Sequence, residues 1–134
     1  MTENASALTV HPTLRYDDAP AAIEFLTGTL GLTAGEVYHD ERGQVVHAEL
    51  GWGDGIVMVG ARGEEPGPFD TGRAVIYLVT DEPDALHARV VAAGGTIARE
   101  LADLDYGSRD FAVRDPEGNI WSFGTYRPAV IKSS

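Results

Sequence analysis

Apolar and polar positions alternate with a period near two along most of this chain, and near 3.6 in two short stretches. Val10 to Tyr16 and Ala74 to Val79 are short and β-leaning. Each is followed by helix-opening punctuation, Asp17/Asp18 with Pro20 and Asp81 with Pro83, which reads as an N-cap carboxylate and a first-turn proline. Ile23, Leu26 and Leu30 then fall at i, i+3, i+7, and Leu86, Val90 and Ala93 at i, i+4, i+7. Gly31 and Gly94 stand where a left-handed residue would end each helix. Weaker strands are expected near Glu36 to His39 and Ile97 to Leu101. Beyond them, Val45 to Trp52 meets Ile56 to Val59 across Gly53-Asp54-Gly55. Likewise Arg109 to Arg114 meets Ile120 to Phe123 across Asp115-Pro116-Glu117-Gly118-Asn119. Both turns carry hairpin chemistry.

The chain is thus written twice. A shift of 63 positions superimposes Asp18 on Asp81, Pro20 on Pro83, Ala22 on Ala85, Gly31 on Gly94, Thr33 on Thr96 and Gly55 on Gly118. The repeated object is a supersecondary unit, β-α-β-β-β. Module 1 is expected over about 8–60 and module 2 over about 73–127. The Gly/Pro-rich stretch between them, about 61–72, reads as an exposed linker. Each unit puts one helix on one sheet face and leaves the other free. Side by side, the free faces would form a cupped mixed sheet, so the expected class is α+β with two βαβββ modules in one domain of 134 residues.

Charge narrows the partners. Ten Lys+Arg against 21 Asp+Glu give a formal net charge of −11, a field that disfavours nucleic acid and anionic membrane surfaces. No apolar run approaches the roughly 20 residues that span a bilayer, and no signal peptide is visible, so a cytoplasmic protein is expected. The absence of cysteine removes disulfides, thiolate zinc sites, iron–sulfur clusters and Cys nucleophiles. No dinucleotide fingerprint, P-loop or nucleophile elbow is present.

The paired β-α-β-β-β grammar resembles the vicinal oxygen chelate superfamily. The sharpest marks are His11-Pro-Thr-Leu-Arg-Tyr, Tyr106-Gly-Ser-Arg-Asp-Phe, and the Asp-Pro-Glu-Gly-Asn turn with Ile120-Trp-Ser-Phe-Gly. They resemble most the glyoxalase/bleomycin-resistance branch, from about Leu8 to Arg127. The resemblance implies a divalent metal held from the first and last strands of each module. Carried over, those positions are His11, Val59, Val75 and Ser122. Only His11 is a strong donor, and one imidazole cannot hold a divalent ion against water. No metal and no cofactor are therefore expected.

Strand parity suggests other chemistry. In Val45-Val46-His47-Ala48-Glu49-Leu50, alternation sets Val46, Ala48 and Leu50 toward the helix and His47 and Glu49 toward the cup, about 7 Å apart. Three readings stay open: a wetted polar strand face, a general acid/base pair, or, with His11, a displaced His/His/Glu metal site. His11 itself reads as a polar rim residue or a ligand contact. Thr13 and Arg15 follow it onto the cup face, with Val57, Val59, Val75 and Tyr77 as an apolar lining. On the matching strand of module 2, Asp110, Ala112 and Arg114 face the cup; Arg114 either pairs with Asp110 or clamps a ligand carboxylate. Tyr106 and Arg109 fall on the loop entering that strand, where Tyr106 either packs on the sheet edge or stacks on a ligand. Trp52 and Trp121 are out of phase with the cup and read as core.

The leading expectation is a metal-independent small-molecule binding protein that sequesters a drug or metabolite, with contacts from His11, Thr13, His47, Glu49, Val57, Val59, Val75, Tyr77, Tyr106, Arg109, Arg114 and Ser122. The alternative is a lyase, isomerase or dioxygenase-type enzyme using His11, His47 and Glu49, with or without a displaced metal. A third is a pocket that now serves only as a dimer interface. A homodimer is expected, because relatives commonly dimerise and open sheet edges invite pairing.

Overall fold

The computed structural model describes residues 8–131. It divides into two compact units, Met1–Ala74 and Val75–Ser134. The first carries β1 (Thr13–Tyr16), α1 (Ala19–Glu24), β2 (Thr33–His39), β3 (Val45–Trp52) and β4 (Gly55–Ala61). The second carries β5 (Val75–Val79), α2 (Pro83–Ala92), β6 (Thr96–Asp103), β7 (Arg109–Arg114) and β8 (Ile120–Gly124). Each is a four-stranded mixed sheet, in the orders β1-β4-β3-β2 and β5-β8-β7-β6. In each the first and last strands pair in parallel and the other neighbours antiparallel.

In module 1 Asp18 caps α1, its carboxylate accepting from Ala21 N at 3.1 Å, which satisfies one of the helix's orphan donors. The helix widens into a π-helical turn over Phe25–Thr29, where Leu30 N reaches back to Phe25 O at 3.2 Å. Gly31 follows at φ 94°, the left-handed conformation that stops the helix. Ala19, Ala22, Leu26 and Leu30 are buried, as are Leu14, Tyr16, Ala48, Leu50, Val57 and Val59 of the sheet.

Module 2 repeats this with different capping. Glu82 precedes Pro83 at the start of α2 without a side-chain cap, and Asp81 instead pairs with Arg127 at 3.7 Å. The N-cap role expected of Asp81 is corrected accordingly. Val90 is fully buried, whereas Ala93 is the exposed residue that ends the helix. The core joins Val90 to Leu78, Phe111, Val113, Trp121 and Phe123, with the Phe111 and Phe123 rings stacked at 5.4 Å. Asp115, buried in the β7–β8 turn, accepts from Glu117 N (2.9 Å), Asn119 N (3.0 Å), Asn119 Nδ2 (3.0 Å) and Trp121 Nε1 (3.0 Å). The carboxylate both closes the turn and fixes Trp121 in the core, which is where parity placed it. Trp52 is half-buried.

The stretch between the modules is exposed over 63–69 and is tied down at two points. Asp70 folds back to within 4.0 Å of Arg15, whose guanidinium lies 5.6 Å from the Phe69 ring centroid. Arg62 donates to Thr71 O at 3.1 Å.

Candidate functional site

Directly paired residues on neighbouring strands point to the same sheet face, so register decides what each module presents away from its helix. In module 1, Glu49 pairs with Met58, Gly51 with Ile56 and Thr13 with Met58. Thr13, Glu49, Ile56 and Met58 therefore share the open face with His47. Val57 pairs with Leu50 and Val59 with Ala48 and Leu14. These two valines are 6% and 1% exposed and lie in the helix-side core. Their expected place as pocket lining is corrected: β4 is apolar on both faces, and its phase follows from its neighbours. Val46 also departs from expectation. Opposite it, β2 passes from Tyr38↔His47 directly to His39↔Val45, a bulge that buries Val45 and leaves Val46 54% exposed.

His47 Nε2 lies 3.0 Å from Glu49 Oε2, with both side chains over one-third exposed. The Tyr38 ring sits 5.8 Å from His47, and its hydroxyl reaches Glu36 Oε1 at 3.5 Å. Beside Glu49 opens a depression of about 390 Å³ lined by Thr33, Ala34, Gly35, Gly51, Gly53 and Ile56. His11 precedes β1, with Nδ1 3.2 Å from Ile56 O and Nε2 3.2 Å from Leu8 O. Both ring nitrogens thus face backbone carbonyls. Among the described residues no three His, Asp or Glu side chains converge to hold a metal, so His11, His47 and Glu49 do not form the triad weighed from the sequence.

In module 2 the open face carries Val75 and Tyr77 from β5, Ser122 from β8, and Asp110, Ala112 and Arg114 from β7. Arg109 takes the opposite side. It forms an ion pair with Asp84 of α2 at 2.7 Å and with Asp103 at 3.1 Å, which corrects its expected place among the ligand contacts. The Arg109 hydrogen bond holds the Asp84 carboxyl below its ordinary value. Asp110 is 3% exposed and does not pair with Arg114. Its Oδ1 accepts from the Ser108 hydroxyl and its Oδ2 from the Tyr106 hydroxyl at 3.2 Å.

Tyr77 donates to Tyr126 O at 2.8 Å, and Tyr126 N donates to Ser108 Oγ at 3.1 Å. The Tyr106 and Tyr126 rings meet edge to face at 5.7 Å. Partial burial raises the Tyr77 phenol above its ordinary value, and the Asp110 charge adds to this against an opposing Ser108 hydrogen bond. Desolvation, then the charge and hydrogen bond of Asp110, raise Tyr106. Ser108, Gly124 and Tyr126 were not among the sequence candidates. Only the Ser-x-Asp spacing of Ser108 and Asp110 hinted that they share a face.

The Glyoxalase/Bleomycin resistance protein/Dioxygenase superfamily model matches residues 9–123. The chain belongs to this superfamily. It is 32% identical to TioX from Micromonospora sp. ML1, with a TM-score of 0.75 over 88% of this chain and 98% of that one. It is 30% identical over 122 residues to an uncharacterised Mycobacterium bovis protein, covering 84% of this chain and 80% of the relative. Lactoylglutathione lyase from Agrobacterium tumefaciens shares the fold at 21% identity, with a TM-score of 0.67 over 88% of this chain and 92% of that one.

Superfamily metal positions can now be placed by register. Thr13↔Met58 in module 1 and Tyr77↔Ser122 in module 2 are equivalent parallel pairings, so the last-strand position of module 1 is Met58 rather than Val59. The four positions hold an imidazole already facing carbonyls (His11), a thioether (Met58), an alkyl group (Val75) and a hydroxyl (Ser122). That donor set does not fit a hard or borderline divalent ion, which takes carboxylate and imidazole ligands.

No helix among the described residues is long and apolar enough to cross a membrane.

Proposed function

We propose that the protein is a small-molecule binding protein of the glyoxalase/bleomycin-resistance type that sequesters a drug or metabolite without a metal. The observation that carries this reading is the donor set at the superfamily metal positions: His11, Met58, Val75 and Ser122 cannot together orient vicinal oxygens on a divalent ion. The open faces instead offer a few polar groups beside apolar ones, Glu49 next to Ile56 and Tyr77 next to Val75, the composition of an organic-ligand surface. Thr13, Tyr106, Arg114 and Ser122 remain proposed contacts. A homodimer in the cytoplasm belongs to the same reading, supported by β2, an edge strand exposed along its whole length.

The test combines metal analysis of protein purified without a metal-affinity tag with melting curves in Ni²⁺, Zn²⁺, Mn²⁺ and Fe²⁺. The expected result is sub-stoichiometric metal and no stabilisation, together with stabilising hits in an organic-ligand screen. Near-stoichiometric metal, or a rise of several degrees with one ion, overturns it.

The 3.0 Å contact between His47 and Glu49 beside a depression favours a second reading, metal-free acid/base catalysis by that pair. Turnover in a lyase and isomerase panel that vanishes in both His47→Gln and Glu49→Gln would establish it. The sequestration reading expects none.

A further inference from the structure

Module 2 carries a polar cluster that the proposed function does not explain. Asp110 is almost wholly buried on the sheet face away from α2, and it has no ion pair among the described residues. A carboxylate so placed normally lies opposite a cation. Here its partners are two hydroxyls, Ser108 and Tyr106. Gly124, its cross-strand neighbour, leaves it room: a Cβ there would overlap Asp110 Oδ1 and come within 2.7 Å of the Tyr77 hydroxyl.

The direction of every hydrogen bond in the cluster matters. Tyr106 spends its one hydroxyl proton on Asp110, and Tyr77 spends its own on Tyr126 O. A phenol has a single proton, so both oxygens are engaged inside the cluster, on Asp110 and on the Tyr126 carbonyl, and neither has a proton left for a ligand. Tyr77, Tyr106 and Tyr126 are 37%, 62% and 49% exposed, which leaves ring surface open as well. The patch therefore combines open aromatic faces with a buried negative charge. Arg99 shares this face and its charge acts on Tyr106, so the attraction for a ligand cation comes from the open ring faces and from Asp110, which has no ion pair of its own among the described residues.

We infer that the Tyr77–Tyr106–Tyr126 patch over Asp110 is a recognition site for an organic cation, a protonated or quaternary amine carried on an apolar or aromatic body. This deepens the small-molecule reading above and rests on it. Exposed Val75, two residues before Tyr77 and on the same face, offers contact for the apolar body. The net charge of −11 draws such a ligand in from a distance. Asp110 acts through its field and by fixing the Tyr106 hydroxyl, while the rings make the contact.

The experiment titrates the full chain with benzyltrimethylammonium, benzyl alcohol and benzoate, three probes of similar body and different charge, following the amide resonances of Ser108, Gly124 and Tyr126. The expected result is saturable shifts with the cation at least about tenfold tighter than with either other probe. Tyr106→Leu and Tyr126→Leu, both at exposed positions, should each weaken the cation about two- to fivefold. Tyr106→Phe, which keeps the ring, should stay within about twofold of wild type. Asp110→Asn should weaken it about tenfold or more. If that variant misfolds by circular dichroism, the tyrosine series decides alone.

Equal binding of all three probes at these amides overturns the cation inference and leaves the small-molecule reading standing. Failure of the cation to shift these amides overturns the inference too, and the organic-ligand screen then judges the broader reading. Unchanged cation affinity in both leucine variants overturns the assignment to this patch.

Discussion

Asp115→Ala tests whether one buried carboxylate holds the β7–β8 hairpin and the module 2 core together. The side chain accepts at least four hydrogen bonds, from Glu117 N, Asn119 N, Asn119 Nδ2 and Trp121 Nε1. Truncation removes the acceptor and leaves the donors in place. Glu117 is half-exposed, so water can replace its bond. Trp121 is fully buried and Asn119 is 5% exposed, so their N–H groups lose a partner without gaining water. At the lower end of about 1–3 kcal/mol for each of these three buried donors, the expected loss is about 3–4 kcal/mol. Unfolding entropy for 134 residues is roughly 0.28 kcal/mol/K, so the melting temperature should fall by about 10–14 °C.

Urea unfolding followed by tryptophan fluorescence is the assay, because Trp121 reports on the site itself. The midpoint should drop with little change in slope. Asp115→Asn keeps the shape and one oxygen but turns an N–H toward a donor, and should cost about 2 kcal/mol. A loss below about 1 kcal/mol for Asp115→Ala would refute the reasoning, since the donors would then have found other partners.

Three further outcomes follow from the same geometry. Gly124→Ala should cost about 1–3 kcal/mol in urea unfolding, because its Cβ would overlap Asp110 and crowd Tyr77; wild-type stability would show that the Asp110 cluster moves aside freely. Tyr77 and Tyr106 should ionise later than the ordinary phenol value of 10.0. The folded state prefers them neutral, so stability should fall as pH rises past that value. In Asp110→Asn the absorbance titration at alkaline pH should move downward, and an unmoved titration would remove Asp110 from the account. For Asp84, held below its ordinary value of 3.8 by Arg109, the stabilisation is present above that value and lost as pH falls through the lower folded-state value. The difference in melting temperature between wild type and Arg109→Gln should therefore narrow below about pH 4, and a difference constant with pH would refute the pairing.

Several features were legible because their causes are local. The β-α-β-β-β grammar was readable from period and punctuation. Val45–Trp52 and Arg109–Arg114 begin and end where the pattern places them. On β3 the alternation of Ala48 and Leu50 with His47 and Glu49 assigned the faces, since a strand with one polar side announces its own phase. On β7, Phe111 and Val113 against Asp110 and Arg114 did the same. The Asp18 cap and the glycine ending α1 were likewise visible, because each acts within a few residues.

The sequence by itself determined which segments are strands and helices, that they occur twice, and which face of a half-polar strand is buried. Tertiary structure decided the rest, for reasons of pairing at a distance. Val57 and Val59 belong to an apolar strand whose phase is set only by Leu50, Ala48 and Leu14 beside it. Val46 leaves the core because of a bulge against β2. Arg109 is in phase with Phe111 and Val113, but the partner it meets on that side, Asp84, lies 25 residues earlier. The cluster around Asp110 exists because β8 lies between β5 and β7, which brings Tyr77 and Gly124 to a carboxylate that the sequence places only next to Arg109 and Phe111. Periodicity records the direction of a side chain, and only the register of neighbouring strands supplies what it meets.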